Sequence, residues 1–441
     1  MPTPLVWFTI TESFRLNSVL WRTPLGWNGR TRRFTFDKSH PCTFFYMYFV
    51  LFFLLVTVLS AAILHSIYLQ LYAPRNGVNI LFTVQQIIFL NAALIAAGIA
   101  VFLQVYGNQG IIVLNALLDV YDDVEKYEYG TQSTSLKIHT DKKTWRDIFA
   151  ALFDRHAPIW KTRDGQIDTK GIIMATVLIP LPLYAYIFAP IVVLVNDLDV
   201  PKYLFQDIWA ALGLSCNSVA SFINKLIRTC MAFAAFAELF RTFPNFIFTT
   251  VIPDQIIVRT TKFFISQSST LDYNKLEDLL RIMTQLKITL QSVEKQIANS
   301  VFPLMTGGLI LSSSLNFAAI RFYAELNYSY YMVFPLMAVV VMAIILALLP
   351  VAIGIFEDSD EVITRWKRGM KKGTRMDALY AKKVKALRPL TFYAGVNGFY
   401  LFKIDRTVLG TYIGSIQDYT ILFLMSFESD MIHSYAAKLL H

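Results

Sequence analysis

Between residues 404 and 427 the chain is long enough to cross a bilayer, which takes about 20 residues. Yet Thr407, Thr411, Ser415, Gln417, Asp418 and Thr420 are threaded through its apolar run. Gln beside Asp at mid-depth does not suit a lipid-facing helix, because a charge there costs at least ~2.5 kcal/mol. Such a helix faces other protein or water. Two readings fit the spacing: polar groups bonded to neighbouring helices, or the wall of an ion pathway. On a helix, residues at i, i+3, i+4 and i+7 share one side. From Asp418 that side takes in Ile421, Leu422 and Met425, with Thr411, Ser415 and Gln417 near it towards the N-terminal end. In an assembly of several copies, Asp418 would form an acidic ring that attracts cations, and apolar rings at Ile421 or Leu422 and Met425 could close a pore by dewetting. Asp418 could instead pair with a neighbour's hydroxyl or with Arg406. The intervening twelve residues of helix put Arg406 about 18 Å away, which disfavours that pair.

Composition sets the class of protein in which such a helix sits. Of 441 residues, 55% are hydrophobic and 16% charged, and mean hydropathy is +0.48. A soluble protein carries about 25% charge, so the expectation is an all-α polytopic membrane protein with one membrane domain. Seven spans are predicted, at about 43–66, 79–106, 171–195, 229–253, 301–323, 331–356 and 404–427. Residues 1–42 form a basic, aromatic arm without the apolar core of a signal peptide, and 428–441 a short tail. Ile111–Tyr127 has helical apolar spacing with acids opposite, so the second helix runs on past the bilayer. Gly130–Lys143 reads as a loop. Pro180, Pro182 and Pro190 lie in the third span, and Glu238, Arg241 and Pro244 interrupt the fourth. Leu276–Val301 is amphipathic and reads as one long helix outside the bilayer. Arg365–Arg388 is very basic, which suits a solvated loop facing lipid headgroups.

Charge orients the chain. The N-terminal arm and the loops after spans two, four and six hold 31 Lys and Arg; the loops after spans one, three and five, with the tail, hold 5. Cytosolic loops carry the excess of Lys and Arg, so the N-terminus is expected inside and the C-terminus outside. The sequon Asn327-Tyr-Ser329 then falls on the outer side, where Asn327 is a glycosylation candidate in a very short loop. Cys42, Cys216 and Cys230 give no disulfide framework. Cys216 and Cys230 could pair if both lie outside, or remain free thiols.

Several classes fit poorly. The six His show no metal-ligand spacing, and there is no Gly-rich phosphate loop and no Ser in a nucleophile elbow, so no enzyme, cofactor or metal site is expected. A G-protein-coupled receptor has seven spans but the opposite orientation. A secondary transporter would show internal repeats, and none is visible. Lys403 reads as a cationic anchor at the inner end of the last span.

The outward halves of spans two to six carry aromatics with few polar groups. These are Phe82, Gln85, Gln86 and Phe89 on the second; Tyr184, Tyr186 and Phe188 on the third; Phe233 and Phe236 on the fourth; and Tyr330, Tyr331 and Phe334 around the sixth. Apolar pockets with a few placed polar groups hold small molecules. Interfacial aromatic belts have the same composition, above all at Tyr330 and Tyr331.

Taken together, the orientation, seven spans, a long inner fourth-to-fifth helix and a polar seventh helix resemble the arthropod gustatory and odorant receptor superfamily. Gustatory receptors carry Thr-Tyr, five apolar residues, then Gln-Phe in the seventh segment. Here Thr411-Tyr412 is present, the same spacing lands on Asp418-Tyr419, and Gln417 stands one place early. Arg388-Pro-Leu with Gly395 and Gly398 is similar to the family's broken approach to that helix. The likeness leans to gustatory or divergent chemoreceptors and does not fit the odorant coreceptor; distant relatives sense light or peroxide. It implies a ligand-gated, non-selective cation channel in the plasma membrane. The channel would be a homo- or hetero-tetramer with a small-molecule ligand and no nucleic-acid partner, and seventh helices would line one central pore. It also implies an inner anchor packed from the ends of helices four to seven, to which Leu276–Val301 and Trp366–Leu387 would belong.

Overall fold

The computed structural model describes residues 3–17, 24–37, 48–73, 80–129, 160, 167–181, 186, 189–190, 193–194, 201–213, 218–268, 273–323, 328–369 and 375–426. Helix α1 (Pro4–Asn17) is followed by a hairpin of β1 (Leu25–Asn28) and β2 (Arg33–Phe36). A π-wound stretch, Tyr48–Val58, leads into α2 (Leu59–Tyr72). Then come α3 (Ile80–Tyr129), α4 (Thr169–Leu178), α5 (Lys202–Ala211), α6 (Ser218–Gln267), α7 (Tyr273–Gln291), α8 (Glu294–Arg321) and the short α9 (Tyr328–Tyr331). The chain continues with α10 (Val333–Gly369), α11 (Arg375–Ala386), a second hairpin of β3 (Tyr393–Val396) and β4 (Phe399–Lys403), and α12 (Arg406–Ser426).

The fold is that of an all-α polytopic membrane protein, with two small hairpins added. Among the described residues five helices are long and apolar enough to cross a membrane: Phe52–Tyr72, Phe82–Glu128, Val219–Gln267, Glu294–Arg321 and Val333–Gly369. The third predicted span is described only in part, with α4 stopping at Leu178, two residues before Pro180. The seventh predicted span coincides with α12, of 21 residues, which is not among those five helices. Helices α3 and α6 each run for 50 residues, or about 75 Å at 1.5 Å per residue. That is more than twice the ~30 Å hydrocarbon core, so each carries a long stretch beyond it. Glu238 and Arg241 do not break α6. They pair at 2.5 Å, both nearly fully buried, because a buried charge persists where a partner one turn away neutralises it.

Those protruding ends build the largest core. Leu114, Leu117, Leu118 and Val124 of α3 meet Ile252, Ile256 and Phe264 of α6, Leu279, Met283 and Leu286 of α7, and Ile355, Val362, Ile363 and Trp366 of α10. The charge pattern assigns this side to the cytosol, and it is termed inner below. Arg365–Arg388, which the sequence leaves between a solvated loop and a packed inner segment, is helical over most of its length, with Trp366, Tyr380 and Val384 buried. Among the described residues Arg365, Lys367, Arg368, Lys382, Lys383, Lys385 and Arg388 are exposed, so burial of three large side chains outweighs the basic composition. The Tyr380 phenol is pushed up by desolvation and by its hydrogen bond to Glu277 of α7. Leu276–Val301 is not continuous: α7 ends at Gln291, Ser292 and Val293 make a turn, and α8 begins at Glu294. The Ser292 hydroxyl bonds back to the Thr289 carbonyl at 2.7 Å, the local competition that disfavours Ser in helices.

The N-terminal arm is also part of this core. Val6, Trp7, Ile10, Leu25 and Phe34 are buried in it. Trp7 stacks on Trp27 at 5.6 Å, and Phe14 on Phe248 of α6 at 5.9 Å. The hairpin docks on α3 by reciprocal bonds between the Phe34 backbone and the Asn115 side chain, at 3.0 and 2.9 Å. Arg33 bridges Asp119 and Asp122. Thr3 donates to Asp168, the residue that caps α4.

Candidate pore helix and outer pocket

The approach to α12 is a tight hairpin. Asn397 and Gly398 sit at φ 50° and 89° between paired strands, the positive φ pair that a two-residue turn of Asn-Gly supplies. Tyr400 of β4 is pushed up by desolvation, then by the Glu294 carboxylate that it hydrogen-bonds. Asp405 then caps α12, accepting from Thr407 and Val408 backbone N–H groups at 3.0 and 3.3 Å. Lys403 lies over the Phe356 ring, 3.1 Å from its centre. Arg406 grips Glu357 of α10 through two bonds, at 2.5 and 2.7 Å. The inner end of α12 is thus fixed to α10 by two cations. An open groove of about 750 Å³ adjoins this clamp, lined by Phe356, Glu357, Asp360, Thr364 and Arg368 with Ser268 of α6.

Along its length α12 rests on α8. The Tyr412 hydroxyl donates to the Met305 carbonyl at 2.7 Å, Ser313 to the Ile416 carbonyl at 3.3 Å, and Arg321 to the Leu424 carbonyl at 3.2 Å. Residue numbers rise together on both helices, so they run parallel. Gly308 makes room for Tyr412: a Cβ there would stand 2.9 Å from its hydroxyl. The side towards α8 holds Ile416 at 1% exposure and Thr420 at 8%, with Phe423 packed against Phe317.

The opposite side of α12 is uncovered in the single chain. Thr411, Gln417 and Asp418 are exposed, as are Ile421 and Leu422 at 54% and Met425 at 73%; Ser415 lies half-buried at the margin. Among the described residues no hydrogen bond or ion pair is shown for Asp418, and Arg406, engaged with Glu357, does not reach it. Thr411 and Thr420 satisfy their hydroxyls on carbonyls one turn back. The helix therefore divides into a side held by α8 and a side bearing the acid with three large apolar residues beyond it.

The predicted pocket residues separate into groups. Phe236, Tyr331 and Phe334 join one outer cluster with Ile88, Leu311, Leu315, Phe317, Ala318 and Phe322. Phe334 meets Phe322 edge-on at 5.2 Å, and the Tyr331 hydroxyl donates to the Ala319 carbonyl at 2.7 Å. Gln85 and Gln86 are buried and Phe89 half-buried on α3. Phe82 packs separately, edge-on to Tyr203 of α5 at 5.4 Å. Tyr186 and Phe233 meet at 4.9 Å, with Tyr186 exposed. Tyr184, Phe188, the Tyr330 side chain and Asn327 lie outside the described residues.

Sequence reasoning did not find the ties that hold α12. Arg321 stood out only as a charge inside a span, although an ionisable group in such a place is a functional candidate by default. The Asn397-Gly398 turn carried a hairpin signal that the surrounding aromatics concealed.

No family model matches the chain, and no curated protein sequence matches it. Solved structures do. The insect olfactory receptor OR5 from Machilis hrabei in complex with eugenol superposes with a TM-score of 0.55 at 13% identity, covering 95% of this chain and 98% of that one. A second structure of the same receptor gives 0.52 at 10% identity, over 94% and 97%. At these identities the shared property is the fold, along nearly the whole of both chains.

Proposed function

We propose that this chain, which has the fold of an insect olfactory receptor, is a chemosensory receptor of the gustatory and odorant receptor superfamily. It acts as a ligand-gated cation channel in the plasma membrane. Four subunits surround one pore, and α12 of each lines it. The observation that carries this reading is the two-sidedness of α12. Its covered side is tied to α8 at three levels, while its uncovered side presents Asp418, Ile421, Leu422 and Met425. A carboxylate ring draws cations, and apolar rings on its outer side gate by dewetting. Thr411-Tyr412 supports placement on the gustatory branch.

The ligand is a small, largely apolar molecule. The Machilis receptor binds eugenol, and the outer cluster here around Phe236, Tyr331 and Phe334, with the buried Gln85 and Gln86 nearby on α3, suits that chemistry.

The test is electrophysiological. Asp418→Asn is expected to alter cation permeability ratios or divalent block, and Leu422→Ser to leave the channel leaking without ligand. If both variants reach the surface and conduct like the parent chain, the pore runs along another face. If no current arises in any host cell, a transporter replaces the channel.

A further inference from the structure

Resting on the reading of α12 as pore wall, we propose that Arg321 is the outer latch of the gate, a positioning residue that sets how far α12 leans into the pore. Between Lys295 and Arg321, helix α8 carries no charged residue. An Arg at the end of such a helix ordinarily extends its charge to the interface. Here the guanidinium turns to the Leu424 carbonyl at 3.2 Å and is partly buried. Leu424 belongs to the last turn of α12, whose carbonyls have no partner within the helix, and a cation at a helix C-terminus is favoured by the dipole.

The placement is asymmetric in a way that gives the contact a direction. The inner end of α12 is held by the Asp405 cap, by Arg406 on Glu357, by Lys403 on Phe356 and, nearly two turns higher, by Tyr412 on Met305. The outer end is where Leu422 and Met425 stand exposed, and Arg321 draws it back onto α8. The same stretch of α8 supplies Phe317, Ala318 and Phe322 to the outer cluster with Phe334. Arg321 therefore joins the pocket side of α8 to the gate end of α12. Released from it, the outer end of α12 leans towards its uncovered side and brings the apolar residues together.

The test needs no ligand. Leu422→Ser is recorded alone, then with Arg321→Gln or Arg321→Lys, and whole-cell leak is normalised to surface protein. Adding Arg321→Gln is expected to lower the leak at least fivefold by reducing open probability, with single-channel conductance and cation selectivity unchanged. Arg321→Lys, which keeps the charge with a shorter reach, falls between. A leak that is unchanged or larger with Arg321→Gln overturns the proposal, as does a fall explained wholly by fewer channels at the surface. Should the Gln variant not reach the membrane, the Lys variant decides, an unchanged leak again overturning it. If Leu422→Ser alone passes no current, the pore reading itself fails, and the latch with it.

Discussion

The contact between Gly308 and Tyr412 offers a sharp test of how α12 sits on α8. A methyl group added at Gly308 would lie 2.9 Å from the Tyr412 hydroxyl, which itself donates to the Met305 carbonyl at 2.7 Å. The hydroxyl cannot retreat without leaving that carbonyl. Overpacking of this kind costs about 1–3 kcal/mol, offset by up to ~1 kcal/mol from the better helix propensity of Ala. Gly308→Ala should therefore destabilise by roughly 0–2 kcal/mol after that offset. Tyr412→Phe removes one neutral hydrogen bond, worth about 0.5–1.5 kcal/mol. It also removes the oxygen that the new methyl would strike. In the Tyr412→Phe background the same Gly308→Ala change keeps only the helix gain, so its sign reverses. The coupling across the four-variant cycle comes to about 1–3 kcal/mol, within the range that contacting residues show. Thermal unfolding of the four purified proteins in one detergent reads it directly. Equal shifts in Tm for Gly308→Ala in both backgrounds would refute the packing argument. A Gly308→Ala change that lowers Tm more in the Tyr412→Phe background than in the parent would do so as well.

Three further outcomes are expected. Trp366→Ala, at a fully buried side chain edge-on to Phe264, should cost about 3–5 kcal/mol, whereas Arg33→Gln should cost under about 1 kcal/mol because Asp119 and Asp122 are substantially exposed; comparable Tm losses would mean that the Arg33 pairs contribute far more than exposed ion pairs do. Asn397→Val places a β-branched residue at φ 50°, where an L side chain pays about 1–2 kcal/mol, so its Tm should fall while Asn397→Gly stays near the parent value. A tag after His441 should stain on intact cells and one before Met1 should not; the reverse pattern would invert the orientation read from charge.

Much of the architecture was legible because membrane helices announce themselves by length and apolarity. The uncovered side of α12 was legible too: the 3.6-residue period alone grouped Asp418, Ile421, Leu422 and Met425. What holds that helix was not. Tyr412, Ser313 and Arg321 act on backbone carbonyls, and a carbonyl leaves no mark in a sequence. Arg365–Arg388 stays open between loop and packed helix in sequence because Lys and Arg dominate its composition, although Tyr380 and Val384 stand one turn apart on the buried face. The arm's basic, aromatic composition marks it as cytosolic, but the apolar grouping of Val6, Trp7, Ile10 and Phe14 does not say which surface it meets. The break at Ser292 has neither Gly nor Pro to signal it. The predicted pocket residues divide because some pack on α5 and others behind α8, a separation set by tertiary contacts that periodicity does not encode.

The docked arm also bears on how the chain is made. The stacking partner of Phe14, Phe248, is synthesised roughly 230 residues later, some 10–50 seconds on at 5–20 residues per second. Throughout that interval Trp7 can meet Trp27, but Phe14 lacks its partner on α6. The arm is thus synthesised well before the helix surface that completes its packing. A chaperone that shields it during translation would raise the yield of assembled receptor, and a bulky fusion at the N-terminus would depress that yield before any channel property could be measured.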